Sequence, residues 1–346
     1  MNTPMNHTTI GDGFLPYHFE INVRPGRALT VKEHIKSWKA RFRDGSILAS
    51  FPEGLMADIQ ALGGVSEVIA EGPQSSVLIP LRMIKAAKDG NECLMSSTVG
   101  TGALAVSIRS ALETWGIGLD AKVIEDGDSP LEFSIRDGLV SESLRMYPCS
   151  RTKFKKQFQL PEGGCERLIV NRCNQGLKKA MQAVFEQGGH CSLRMHNIDR
   201  YTKASDYIEM IPWANSVIIS TRNRVLNQVA AAFELKNPLQ RMAALAEALA
   251  TIPAAKQAVE RPIPTASRMI TLIEDQTGLC HFYQSDQSFV TVKVPSGYDL
   301  SSRAARIQGA FLSRPTFKQE GGSFENYCEG IIQGAYQGTE SRPWGY

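Results

Sequence analysis

The sequence predicts an α/β fold: a mostly parallel sheet flanked by helices, with a small antiparallel β lid. Two patterns predict it. Short apolar runs alternate with longer stretches of helical period over most of the 346 residues, the rhythm of a parallel sheet covered by helices. Between about Lys122 and Leu160 that rhythm breaks into several short strand-like runs with no helix among them. Composition agrees. A chain that is 42% hydrophobic and 21% charged is neither disordered, collagen-like nor a coiled-coil rod. A net charge of only +3 argues against nucleic acid as the main partner.

Residues 1–25 are polar and Gly-rich and are expected to form a flexible N-terminal segment. Residues 26–121 and 161–346 are assigned to the large α/β domain, and 122–160 to the inserted lid. Val31 to Asp44 reads as an amphipathic helix, with Ile35, Trp38 and Phe42 on one face and a basic, solvated side. Predicted strands are Ser46–Phe51, Ser76–Ile79, Arg167–Val170, Cys191–Met195, Ser216–Ser220, Met269–Ile273 and Phe289–Val294. Predicted helices are Gly102–Thr114, Gln175–Gln187, Arg222–Phe233, Pro238–Leu249 and Ser301–Phe311. The helix from Gln175 carries the stripe Leu177, Met181, Val184, Phe185 and stops at Gly188-Gly189. In the lid the strand-like runs begin at Lys122, Leu131, Leu144 and Lys156; this sheet, alone or joined by strands from near the N-terminus, covers a ligand cleft or decorates the body. The tail after Arg314 reads as irregularly packed.

Seven widely spaced cysteines without a C-x-x-C pair indicate reduced thiols and a cytoplasmic protein. No signal-peptide pattern opens the sequence, and no apolar run is long enough to cross a membrane. His190, Cys191 and His196 do not form a metal site on a strand, because positions 191 and 196 fall on opposite faces. Cys280-His281 reads as core packing or a strand end. Arg151, Lys153 and Lys155 would line one solvated face of a strand.

Several stretches carry a resemblance through their order. Leu168-Ile-Val-Asn-Arg-Cys-Asn-Gln-Gly-Leu177 is a strand end and turn. Cys191 to His196 follows as a strand, then Ile211-Pro-Trp-Ala-Asn-Ser-Val-Ile-Ile-Ser220. Gly309-Ala-Phe-Leu312 ends a helix, and Gly100-Thr-Gly-Ala-Leu-Ala-Val106 opens one. Together they resemble the ribokinase-like (PfkB) superfamily of sugar kinases, closest in pattern to the ADP-dependent glucokinase and phosphofructokinase group. That resemblance implies a phosphotransferase fold with an alcohol-group acceptor.

The family's chemistry meets degenerate motifs here. Its Gly-x-Gly-Asp loop holds phosphate charge on helix N-terminal amides and supplies the base. Counting back from Gly309, the base position falls on Ala304 or Ala305, which cannot accept a proton. The family's acidic motif for magnesium is replaced by Ser220-Thr-Arg-Asn223, so no metal ligand is intact at Ser220 or Asn223. The sugar-binding Asp of the first strand would fall near Pro52 to Met56, at Met56, with Asp58 two residues on.

The candidate ligand-binding residues are Gly100, Gly102, Ser301, Ser302, Arg303 and Arg306. A Ser301 or Ser302 cap with Arg303 and Arg306 on one face makes an anion site, or else the arginines pair with acids or face water. The leading reading is a pseudokinase that keeps a cleft for a sugar, sugar phosphate, nucleotide or protein partner. One alternative is an active atypical sugar or nucleoside kinase using Asp58 or Asp299, with magnesium and nucleotide as its cofactors. Another is a scaffold that dimerises through the lid.

Overall fold

The computed structural model describes residues 8–38, 54, 57, 60–61, 65–87, 91–125, 127–138, 141–147, 158–161, 164–195, 203–220, 225–255, 268–274, 277–287, 289–294, 302–314 and 317–336. In chain order the first elements are β1 (Thr8–Asp12), β2 (Tyr17–Val23), α1 (Ala28–Ser37), β3 (Val65–Pro73), α2 (Leu78–Ala87), β4 (Glu92–Val99), α3 (Ala103–Thr114) and β5 (Ile117–Val123). There follow β6 (Leu131–Arg136), β7 (Ser141–Met146), β8 (Arg167–Val170), α4 (Gln175–Glu186), β9 (His190–Met195), α5 (Ala204–Ile208), β10 (Ser216–Ser220), α6 (Val225–Ala232) and α7 (Met242–Ala250). The last are β11 (Met269–Ile273), β12 (Leu279–Tyr283), β13 (Val290–Lys293), α8 (Arg303–Ser313), α9 (Phe317–Glu320) and α10 (Phe324–Tyr336). The chain divides into two units: Met1–Gly13, Ser76–Met95 and Phe158–Tyr346 form one, Phe14–Ser75 and Ser96–Gln157 the other.

The large sheet runs in the order β13-β12-β11-β10-β9-β8-β1-β4-β5. β1, β8, β9, β10 and β11 are parallel, and β12 and β13 close that edge as antiparallel strands. Alternation along β9 shows how the first unit is layered. Cys191, Leu193 and Met195 enter one core with Leu177, Met181, Val184 and Phe185 of α4 and Leu245 and Leu249 of α7. A second core gathers Ile218 and Ile273 with Ile307 of α8 and Tyr327 and Ile331 of α10. Between sheet and α8, Gln308 donates to the Ser192 hydroxyl at 3.0 Å, which also meets Ser216 at 2.8 Å. α4 is capped by Asn174, whose Oδ1 accepts from the Leu177 amide at 2.9 Å, and as predicted it closes at the glycine pair, through bonds from the Gly188 and Gly189 amides.

The second unit holds the four-stranded sheet β3-β2-β6-β7. β2 pairs antiparallel with β3 and parallel with β6, and β6 pairs antiparallel with β7. Its apolar face carries Phe19, Ile21, Phe133 and Ile135, all 1% exposed or less, with Phe19 stacked on Phe133 at 5.4 Å. On α1, Val31 and Ile35 are buried, and Lys32 forms an ion pair with Glu142 of β7.

Three expectations differ from this structure. Residues 8–23 are not a loose segment: β1 and β2 are almost wholly buried, because β-branched and aromatic residues there pair within sheets. Ser76–Ile79 is not a strand but the entry to α2, where Leu78, Leu81 and Ile84 are buried at helical spacing and Pro80 is tolerated in the first turn. The tail contains the 13-residue helix α10, its Phe324, Tyr327, Cys328, Ile331 and Ile332 buried despite Gly330 and Gly334. The small sheet does take in strands from earlier in the chain, as its reading allowed: β2 and β3 are two of its four strands. Ser46–Phe51 and the basic run Arg151 to Lys156 lie outside the described residues. No helix among the described residues is long and apolar enough to cross a membrane.

Candidate functional site

In an open α/β sheet the carboxyl ends of the parallel strands, where successive connections diverge, are the usual ligand site. The first described strand is β1, and it ends in a carboxylate, Asp12; the segment Pro52 to Met56, Gly54 apart, lies outside the described residues. Asp12 is fully buried and accepts from Arg172 Nε at 2.7 Å, just past the end of β8. Its neighbour Asn171 donates from Nδ2 to the Ser76 hydroxyl at 2.5 Å, ahead of α2. Asp12 is inconspicuous in the sequence because Thr-Thr-Ile-Gly-Asp continues the polar N-terminus. The β-branched triplet before Gly-Asp was the available signal.

At the start of α8, Ser302 occupies the N-cap position but makes no capping bond; its hydroxyl accepts from Arg306 Nε at 2.9 Å. Arg303 is 0% exposed and donates from Nη1 to the Glu274 carbonyl at 2.9 Å, beside Tyr336. Arg306 is 8% exposed. Both guanidiniums thus engage groups of the protein itself. Ala305 is buried and Ala304 half-buried, and the first turn of α8 contains no acidic residue. Ser220 ends β10, whereas Ser301, Asn223, Asp58 and Asp299 lie outside the described residues.

In the second unit, Gly100 and Gly102 precede α3 as expected, and a protein carboxylate sits against them. Asp128, 1% exposed, accepts from the Leu104 and Ala105 amides at 3.0 Å each and from the Ser129 amide at 2.7 Å. It fills the amide-lined start of α3 that would otherwise attract an anion. A Cβ on Gly100 would meet the Gly127 carbonyl oxygen at 2.3 Å, and one on Gly102 the Asp128 carboxylate at 2.5 Å. Both glycines therefore admit the 127–129 segment. The polar face of the small sheet adds an ion-pair lattice: Glu20 with Arg136, and Glu132 with Arg145. Burial, reinforced by Arg136 and Arg145, lowers His18 on that face to about 4.

No group of three metal-ligating side chains occurs among the described residues. Cys191 is buried with its thiol toward the Met181 carbonyl, and His190 lies against Phe311. Cys280 is buried in the core, while His281, one residue on along the strand, sits between Glu274 Oε1 and Thr291 Oγ1, each at 2.9 Å. Burial raises the Glu274 carboxyl, but hydrogen bonds from Thr277 and His281 outweigh it and hold it below the usual range. The orienting acid that the sequence did not reveal exists, yet Cys280 and His281 fall on opposite faces of the strand and form no thiolate–imidazole pair.

No family model matches the chain, and no curated protein matches it. Solved structures do. Adenosine kinase from Schistosoma mansoni in complex with 2-fluoroadenosine superposes with a TM-score of 0.64 at 10% identity, over 95% of this chain and 94% of that one. Anopheles gambiae adenosine kinase in complex with P1,P4-di(adenosine-5) tetraphosphate gives 0.64 at 9% identity, covering 96% of each. Fructokinase with bound ATP from Xylella fastidiosa gives 0.58 at 12% identity, over 95% and 89%. The chain has the ribokinase-like fold.

Proposed function

We propose that the protein binds a small sugar- or nucleoside-like ligand on a ribokinase-like fold and no longer transfers phosphate. The observation that carries this reading is the first turn of α8, which offers Ser302, Arg303, Ala304 and Ala305 and no carboxylate. A hydroxyl nucleophile needs a proton acceptor within hydrogen-bond reach, and none of these four side chains supplies one. Magnesium and a nucleotide would be cofactors only of an active enzyme. The narrower kinship with ADP-dependent sugar kinases belongs to the same proposal. Dimerisation through the small sheet is part of it, as is a cytoplasmic location. The location is supported by the described cysteines Cys93, Cys165, Cys173, Cys191, Cys280 and Cys328, which are thiols.

A second reading is favoured by Asp12, a buried carboxylate at the carboxyl end of β1. It is an active, atypical kinase in which Asp12, Asp58 or Asp299 serves the hydroxyl. Coupled assays with ADP and with ATP on a panel of sugars and nucleosides separate the two. The expected result is binding detectable by calorimetry without turnover. Turnover that disappears in Asp12→Asn, Asp58→Asn or Asp299→Asn would establish the second reading instead.

A further inference from the structure

Arg194, near the end of β9, is 3% exposed. Its Nη2 donates to the Ser76 carbonyl at 3.1 Å, and its Nε meets no acceptor among the described residues. Among the described residues no carboxylate pairs with it; Asp12, at the end of β1, is engaged by Arg172. Arg268, for comparison, donates to the carbonyls of Ala214, Leu249 and Ile252 and so ties down the end of α7. A guanidinium withdrawn from water without a counter-charge is costly, and an anion bound beside it offsets that cost. Burial lowers Arg194 only to about 10, so it remains cationic at neutral pH.

Its surroundings favour one kind of anion. Val170 pairs with Leu193, so Asn171 and Arg194 are the next positions along adjacent parallel strands. Both reach Ser76, the arginine at its carbonyl and the asparagine at its hydroxyl. Nε and the second Nη2 proton form a two-pronged donor that fits two oxygens of one group. The Asn171 amide and the part-exposed Ser76 hydroxyl stand ready for a third oxygen. A carboxylate has two oxygens to offer, and a phosphate has more.

We infer that Arg194 receives the phosphate group of a ligand at the carboxyl ends of β8 and β9, with Asn171 and Ser76 completing the site. This rests on the ligand-binding reading above and names the charged part of the ligand. Thermal unfolding of the full chain tests it with four probes besides inorganic phosphate: ribose 5-phosphate, AMP, ribose and adenosine. The expected result is a saturable rise in midpoint with a phosphate-bearing probe, absent in Arg194→Met and weakened at least tenfold in Arg194→Lys. Saturation by inorganic phosphate marks free phosphate as the source, and saturation by the esters alone marks a phosphomonoester. An equal response in Arg194→Met overturns the assignment, because general salting effects would survive that change. Binding of ribose or adenosine with every phosphate probe silent overturns it and leaves the ligand-binding reading standing; silence from all five overturns both. If Arg194→Met fails to fold, arginine Nε–H resonances of the parent protein decide. The signal missing in Arg194→Lys must shift on adding the phosphate probes, and an unmoved signal refutes the site.

Discussion

Asp128 accepts hydrogen bonds from three main-chain amides at 2.7–3.0 Å while 1% exposed, so removing its carboxylate strands three buried donors. Asp128→Ala is expected to cost about 2–4 kcal/mol, above an ordinary helix cap, because each bond is charge-assisted and shielded from water. Urea unfolding checks this, and an unchanged midpoint would remove the carboxylate from the account of α3. His18 gives the second residue-scale prediction. Its folded value of about 4 lies below the ordinary 6.5, first through burial and then through Arg136 and Arg145. Between those values the unfolded chain binds the extra proton, so stability rises with pH through this window and falls as pH drops from 6.5 toward 4. One proton corresponds to a slope of at most about 1.4 kcal/mol per pH unit. His18→Gln should flatten that part of the stability curve, measured by urea unfolding at half-unit steps. A parental curve already flat there would contradict the buried neutral imidazole.

Elements were legible wherever period and punctuation agreed. The strands Arg167–Val170, Ser216–Ser220 and Met269–Ile273 fall at the positions their apolar runs indicate, and α4 begins after its Asn and ends before its Gly pair. Legibility failed where local propensity and tertiary burial disagree. α10 places two glycines in its interior, a composition that reads as a loop until Ile331 and Ile332 are seen buried against α8 and its neighbours. The candidate site fared likewise. The flanking glycines before α3 were visible, but their partner Asp128 lies 26 residues after Gly102 in the sequence and no local pattern links them. Gly309 makes the point as a prediction. It read as part of a family-like helix end, and the structure gives it a packing role between α8 and α2. A Cβ there would lie 2.9 Å from Pro80 Cα and 2.7 Å from Met83 Sδ. The sulfur can move, but the proline backbone cannot without shifting α2. Gly309→Ala should therefore lower stability by about 1–3 kcal/mol even though alanine is the better helix former. A stabilised variant in chemical denaturation would show that α2 is free to retreat.

For the molecule as a whole, the decisive feature is how the chain is threaded. It passes between the two units at Gly13–Phe14, Ser75–Ser76, Met95–Ser96 and Gln157–Phe158, so the second unit is built from two separate segments. Residues 122–160 read alone as an insertion, which suggests a removable piece. The pairing says otherwise. β6 lies parallel to β2 over six residue pairs, from Tyr17 with Leu131 to Asn22 with Arg136. Deleting 122–160 would strip β2 of that partner, uncover Phe19 and Ile21, now at most 1% exposed, and leave β2 as an open edge. It would also remove Asp128 and with it the amide ligand at the start of α3. An exposed apolar face joined to an unpaired edge strand is an association hazard. The shortened chain is therefore expected to aggregate, seen as high-mass species by light scattering and as lost cooperativity in thermal unfolding. A monodisperse, cooperatively folding product would mean that β2 and β3 find another cover, and the second unit would then be an appendage of the fold rather than a part built from both ends of its own two segments.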